Sequence, residues 1–181
     1  MSMLVPPVHE LDHAEGLPSA RVTLVEYADF ECPTCAAAFE VVEAARRALG
    51  PNLRYVFRHF PLRSSHPHAL AAAKAAEAAA AQGKFWPMHA RLFAHQTQLA
   101  DPDLLRHARK LGLDPERFQR DMASPAAEVR IREDLASGVR SGVSGTPTFF
   151  IEGERYAGPI ERGALIDALA RSAVRHPAAT P

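Results

Sequence analysis

The chain has 181 residues, 47% hydrophobic and 23% charged, with equal numbers of acidic and basic side chains. That suits one domain, or one domain carrying a large insertion, and a formal net charge of zero argues against a nucleic-acid or anionic-membrane surface. No apolar run reaches the length of a membrane-spanning helix, and two cysteines cannot build a disulfide framework.

Residues 1–19 are a Pro- and His-containing lead-in with little periodicity. The opening MSMLVPPVHELDHAEG lacks the basic start and apolar core of a secretory leader. The expected home is therefore the cytoplasm, or an exported location if a leader has been removed. RVTLVEYADF (21–30) alternates and carries Val, Thr and Tyr, which predicts a strand. CAAAFEVVEAARRALG then has helical spacing, with Phe39, Val42, Ala45 and Leu49 on one face and Gly50-Pro51 as the stop. NLRYVFRHFPL (52–62) predicts a second strand ended by Pro61. Strand, helix and strand with short links form a βαβ unit, whose strands are expected to be parallel.

From residue 66 to about 142 nearly everything reads as helix. HALAAAKAAEAAAAQG is mostly alanine and suits close packing. KFWPMHARLFAHQ follows, with Pro87 tolerated in a first turn. DPDLLRHARKLG and DPERFQRDMAS each begin Asp-Pro, and SPAAEVRIREDLASGVRSG begins Ser-Pro; each pair reads as an N-cap followed by proline at the first helical position. TPTFFIEG (146–153), a turn at EGER and a short RYAG strand predict a β-hairpin. ERGALIDALARSAV closes the chain as an amphipathic helix, and 175–181 is expected to fray. The order is βαβ, a helical block, then ββα. The expected fold class is α/β: a thioredoxin-type layout at 20–63 and 143–174 with an all-helical domain, 64–142, inserted between its halves.

Cys32 and Cys35 stand where a strand gives way to a helix. A bond between them would close almost no loop, so its purpose is not stability. A thiolate is the reactive species in thiol–disulfide exchange. Cys32 at a helix N-terminus meets unpaired N–H groups and the positive dipole end, which lowers its pKa. Pro33 suits the first helical position, and the Thr34 hydroxyl can donate to sulfur but adds no positive charge. Cys35, one turn deeper, is expected to be more buried. Cys32 is then the nucleophile and Cys35 the resolving thiol. Zinc uses Cys-x-x-Cys too, but needs about four ligands, and no second cysteine pair is present; we expect no metal and no cofactor. Two inert buried cysteines are the bland alternative.

Pro147 stands at the start of a predicted strand, where it removes a ladder donor. A cis bond at Thr146-Pro147 would leave backbone groups facing outward for an extended substrate; a trans turn proline is the alternative. Glu26 lies six residues before Cys32 in the strand. Buried, its carboxylate could shuttle a proton to or from Cys35; otherwise it is a solvent-facing strand glutamate. Asp29 and Glu31 are expected as exposed charges that tune the surface. Phe30, Phe85, Trp86, Phe93 and Phe149 read as core before they read as a client groove, and His59 as a strand-end or core histidine.

CPTC after VTLVEYADFE, then FRHFPL, GKFWPMH and GVSGTPTFFIEG, resembles the DsbA-like branch of the thioredoxin superfamily. The similarity covers about residues 18–172. It implies a thioredoxin fold with inserted helices, disulfide oxidoreductase activity, and a cis-proline loop beside the Cys-x-x-Cys. Pro147 would be cis, and Thr146 would touch substrate backbone near Cys32. Pro33 and Thr34 join them as substrate-binding positions, and an acid at the place of Glu26 fits the same resemblance. Two departures stand out. The best-known oxidase of the family has a histidine between its cysteines, where this chain has Pro33-Thr34. Family oxidases also work outside the cytoplasm, whereas in a reducing cytosol the resting form would be the dithiol. The implied partners are protein or peptide disulfides and dithiols, plus a redox partner that recycles the pair. Rival readings are a kappa-type glutathione transferase or isomerase, a non-redox peptide-binding module, and a domain otherwise attached to a membrane transporter.

Overall fold

A computed structural model describes residues 2–175, so the expected frayed tail beyond Arg175 lies outside the described residues. The chain divides into two compact units. One holds the residues up to Tyr27, Ala37–Arg58 and the chain from Ser137 onward; the other holds Ala28–Ala36 and His59–Ala136. Among the described residues no helix is long and apolar enough to cross a membrane.

The first unit is built on a five-stranded sheet. Its strands are β1 (His13–Glu15), β2 (Val22–Ala28), β3 (Leu53–His59), β4 (Thr148–Ile151) and β5 (Glu154–Arg155), in spatial order β1-β3-β2-β4-β5. Helix α1 (Pro33–Leu49) links β2 to its neighbour β3, as a βαβ unit requires. The buried stripe of α1 runs through Cys35, Ala38, Val42 and Ala45, while Phe39 and Leu49 lie half-buried at its margin. β4 pairs antiparallel with β2, Glu26 opposite Phe149. β4 and β5 form the expected hairpin, but its turn is Glu152-Gly153, both at positive φ (51° and 81°), and the partner strand is Glu154–Arg155 rather than the predicted RYAG. Two central residues at positive φ match the type I′ turn, which twists with the flanking strands. Helix α7 (Arg162–Arg175) buries Leu165, Leu169 and Ala173, one turn apart.

The lead-in is part of this sheet. β1 pairs antiparallel with β3, His13 opposite Phe57 and Glu15 opposite Tyr55. Three residues are too few to show a period, which is why the sequence hides this strand. Gly16 ends it at φ 101°, where a Cβ would meet the Leu53 carbonyl oxygen at 2.4 Å. A buried arginine secures the same segment. Arg58 is 1% exposed and spends five N–H donors: Nε and Nη2 on the two carboxylate oxygens of Asp12 (2.9 and 2.8 Å), Nη1 on the Tyr27 hydroxyl and the Pro6 carbonyl (2.9 and 3.1 Å), and Nη2 also on the Pro7 carbonyl (3.1 Å). The Tyr27 hydroxyl, which accepts from Arg58, also shares a hydrogen bond with Ser137 Oγ at 2.8 Å.

The second unit carries α2 (Ala69–Ala80), α3 (Phe85–Ala94), α4 (Asp101–Lys110), α5 (Pro115–Met122) and most of α6 (Pro125–Arg140). α2 buries seven alanines and packs against α3, α4 and α5; its small side chains permit the close approach. Asp114 caps α5 as expected, accepting from the amides of Glu116 and Arg117 at 2.9 and 3.0 Å. Ser124 caps α6, accepting from Ala127 N at 3.4 Å. At α4 the expectation fails. Its N-cap is Ala100, in extended conformation, and Asp101 is already helical. Asp101 and Asp103 then stabilise the first turn through its dipole rather than by capping.

Burial alone would raise the Asp12 pKa, but the Arg58 hydrogen bonds, the His9 amide and the Arg58 charge outweigh it and hold it below the usual carboxylate range. A depressed acid stabilises above its unfolded pKa and loses that contribution as pH falls through the folded value. Replacing Asp12 with Asn strands a buried guanidinium and is expected to cost about 3 kcal/mol near neutrality. The deficit against the unmutated chain should shrink as pH drops below about 4; urea unfolding across pH measures both.

Candidate active site

Helix α1 starts at the cysteine pair. The Cys32 carbonyl accepts from Cys35 N and Ala36 N at 3.0 and 3.2 Å. That makes Cys32 the N-cap residue and puts Pro33 at the first helical position, where its missing N–H costs nothing. Both cysteines are buried. Cys32 is 5% exposed and Cys35 0%, the order that a nucleophile and a resolving thiol require. Pro33 and Thr34 are exposed on the first turn. The Thr34 hydroxyl lies 2.9 Å from Cys32 Sγ, within hydrogen-bond reach of the sulfur.

The loop that delivers Cys32 is fastened within the second unit. Asp29, expected as an exposed surface charge, is 2% exposed. Its Oδ1 accepts from Glu31 N at 2.8 Å; its Oδ2 accepts from Leu62 N at 2.8 Å and from His66 Nδ1 at 2.7 Å. The Asp29 carbonyl receives the Cys32 amide at 3.1 Å. Glu31 is half-buried and accepts from His68 N at 2.6 Å. Gln96 Nε2 donates to the carbonyls of Phe30 and Cys32, both at 2.8 Å. In sequence the two acids look exposed because they flank a motif in a polar stretch. Burial follows because the loop amides and His66 arrive from the chain after β3 and satisfy them.

Behind the loop is an aromatic cluster. Phe30 lies 4.9 Å from Phe93 and 5.7 Å from His89, ring to ring, and His89 also stacks edge-on with Trp86 and Phe93. Phe30, Phe85, Phe93 and Phe149 are buried and Trp86 is half-buried, so these residues are core. His59 is also buried: its Nε2 lies 2.7 Å from Glu77 Oε1, and its amide donates to Asp134 at 3.0 Å.

The remaining predicted positions lie in the first unit. Glu26 is 1% exposed on β2, which excludes the solvent-facing alternative, and the Tyr55 hydroxyl donates to its Oε2. The Thr146-Pro147 bond is cis and leads directly into β4. Thr148 Oγ1 donates to the Gly145 carbonyl at 2.7 Å, spanning the proline. Asp29 as an organiser, His66 as its partner and Gln96 are not marked in the sequence. Gln96 bonds across 64 residues and leaves no local signal; His66 sits in a Ser-, Pro- and His-rich loop that reads as a plain connection.

The hydrogen bond to Asp29 raises the pKa of His66; partial burial opposes it, and the charges of Asp29, Cys32 and Glu31 add to the rise. A histidine raised in this way stabilises the fold fully below its unfolded pKa and loses that contribution as pH climbs through the folded value. The stability gap between the unmutated chain and His66→Gln is therefore expected to be widest below about pH 6.5 and to narrow at higher pH, as read by urea unfolding at several pH values.

A family model described as thioredoxin matches residues 9–170. A thioredoxin-like oxidoreductase from Silicibacter pomeroyi DSS-3 has a similar structure, with a TM-score of 0.80 and 35% identity over 89% of this chain and 91% of that one. Oxidised BdbD from Bacillus subtilis shares the fold, with a TM-score of 0.81 at 17% identity over 90% of this chain and 93% of its own. Similar in sequence are parts of two Na(+)/H(+) antiporters. NhaA 3 of Salinispora tropica is 48% identical over 168 residues, which is 91% of this chain and 25% of that protein. NhaA of Herminiimonas arsenicoxydans is 50% identical over 157 residues, 86% of this chain and 25% of that protein. The chain thus spans about a quarter of the length of these curated relatives.

Proposed function

Because this chain belongs to the thioredoxin family, we propose that it is a DsbA-like member that exchanges disulfides with protein or peptide clients through Cys32 and Cys35. The carrying observation is the graded pair at the start of α1: Cys32 at the N-cap with a hydroxyl 2.9 Å from its sulfur, and Cys35 fully buried one turn on.

In the reducing direction, the Cys32 thiolate attacks one sulfur of a client disulfide. The client S–S bond breaks, a Cys32–client S–S bond forms, and the departing client thiolate takes a proton from solvent. Cys35 then loses its proton and attacks Cys32 Sγ. The Cys32–Cys35 bond forms, the second client thiolate leaves, and two electrons have passed to the client. Reversal transfers a disulfide to the client instead. Glu26 is our candidate to accept the Cys35 proton. Pro33, Thr34, Thr146 and Pro147 are our candidates to meet the client's backbone. No metal or organic cofactor takes part in these steps, and a separate redox partner must restore the starting form. In a reducing cytoplasm the dithiol would be the resting form and reduction the favoured direction. The antiporter relatives favour a second setting for the same chemistry, at a membrane transporter.

Three variants test the reading against a disulfide-containing peptide. Cys35→Ser should stop turnover and accumulate a covalent peptide adduct visible by mass, and Cys32→Ser should stop turnover without any adduct. Glutathione transfer that survives in Cys35→Ser would favour the kappa-type enzyme. Peptide binding retained in the double serine variant, with no reductase activity in the unmutated chain, would favour a binding module.

A further inference from the structure

The dipeptide between the cysteines is uncharged, yet a histidine reaches the same loop from 34 positions beyond Cys32 in the sequence. Residues 62–68 are fastened to the Cys32 loop three times: Leu62 N and His66 Nδ1 on Asp29, and His68 N on Glu31. Asp29 in turn receives the Cys32 amide on its carbonyl. An ionised carboxylate only accepts hydrogen bonds, so the His66 nitrogen that faces it carries a proton. The second proton therefore goes to Nε2, on the far edge of a ring that is 19% exposed, where water can still help to solvate the charge.

We propose that His66, oriented by Asp29, is the cation that stabilises the Cys32 thiolate, in place of a charged residue between the cysteines. This rests on the reading of Cys32 as the exchanging thiol, and it makes His66 a positioning residue that acts through that sulfur. Asp29 and Glu31 alone would oppose a negative sulfur; the imidazolium offsets part of that repulsion. The raised pKa of His66, to which Cys32 contributes alongside Asp29 and Glu31, agrees with this arrangement. All three of these groups are acidic. A stabilised thiolate favours the dithiol over the disulfide, so His66 also makes the Cys32–Cys35 disulfide more oxidising.

The test is the pH dependence of Cys32 alkylation by iodoacetamide, measured in a Cys35→Ser background so that one thiol reports. His66→Gln keeps a donor for Asp29 but removes the charge. It should raise the titration midpoint by about one pH unit, the low end for a nearby opposite charge, and slow alkylation about tenfold at a fixed pH below both midpoints. His66→Arg, charged throughout, should move the midpoint back toward the unmutated value. A midpoint that His66→Gln leaves in place overturns the proposal. A shift that His66→Arg does not reverse also overturns it, since the loop's shape rather than its charge would be responsible. Alkylation needs no client. Failure of disulfide exchange in the unmutated chain would therefore end the oxidoreductase reading, while the titration still decides the role of His66.

Discussion

Three donors converge on the Asp29 carboxylate: the amides of Glu31 and Leu62 and the ring of His66. This buried acceptor sets where α1 begins. It closes the turn that carries Cys32, ties that turn to the chain after β3, and leaves the Asp29 carbonyl to take the Cys32 amide. Without it, two backbone amides would lose their partners at about 1–3 kcal/mol each where they are buried. Gln96 completes the arrangement from the other side through the carbonyls of Phe30 and Cys32. The position of the sulfur at the helix N-terminus, and hence its chemistry, follows from these bonds.

A second buried carboxylate does comparable work in the other unit. Asp12 neutralises Arg58, and the guanidinium then gathers the Pro6 and Pro7 carbonyls and the Tyr27 hydroxyl. A guanidinium that fills all five donors can be buried at tolerable cost because no N–H is left without an acceptor. Charge pairing here secures an N-terminal segment that buries few apolar side chains of its own.

Much of the fold was legible because it rests on local signals. The alternation at 21–30 and the helical spacing after Cys35 each fix an element within a few residues. Asp114 and Ser124 cap as their Asp-Pro and Ser-Pro pairs imply, whereas Asp101 does not, because Ala100 is extended and the helix starts one residue early. The Cys32–Cys35 spacing carries its chemistry in four residues. What stayed hidden depends on contacts distant in sequence. β1 is three residues long and exists through its pairing with β3. Asp29 reads as a polar flank until the loop amides and His66 arrive from more than 30 residues away. His66 itself carries no mark that separates it from the other eight histidines of the chain.

Disulfide exchange by this chain requires that Cys32 and Cys35 cycle together. Equilibration of the chain in graded glutathione buffers, with thiol alkylation and mass analysis, reads that directly. A single two-electron transition between roughly −270 and −120 mV is expected, with the low end marking a reductase and the high end an oxidase or isomerase. A pair that never forms the internal disulfide, or that titrates as two independent thiols, would contradict the oxidoreductase account.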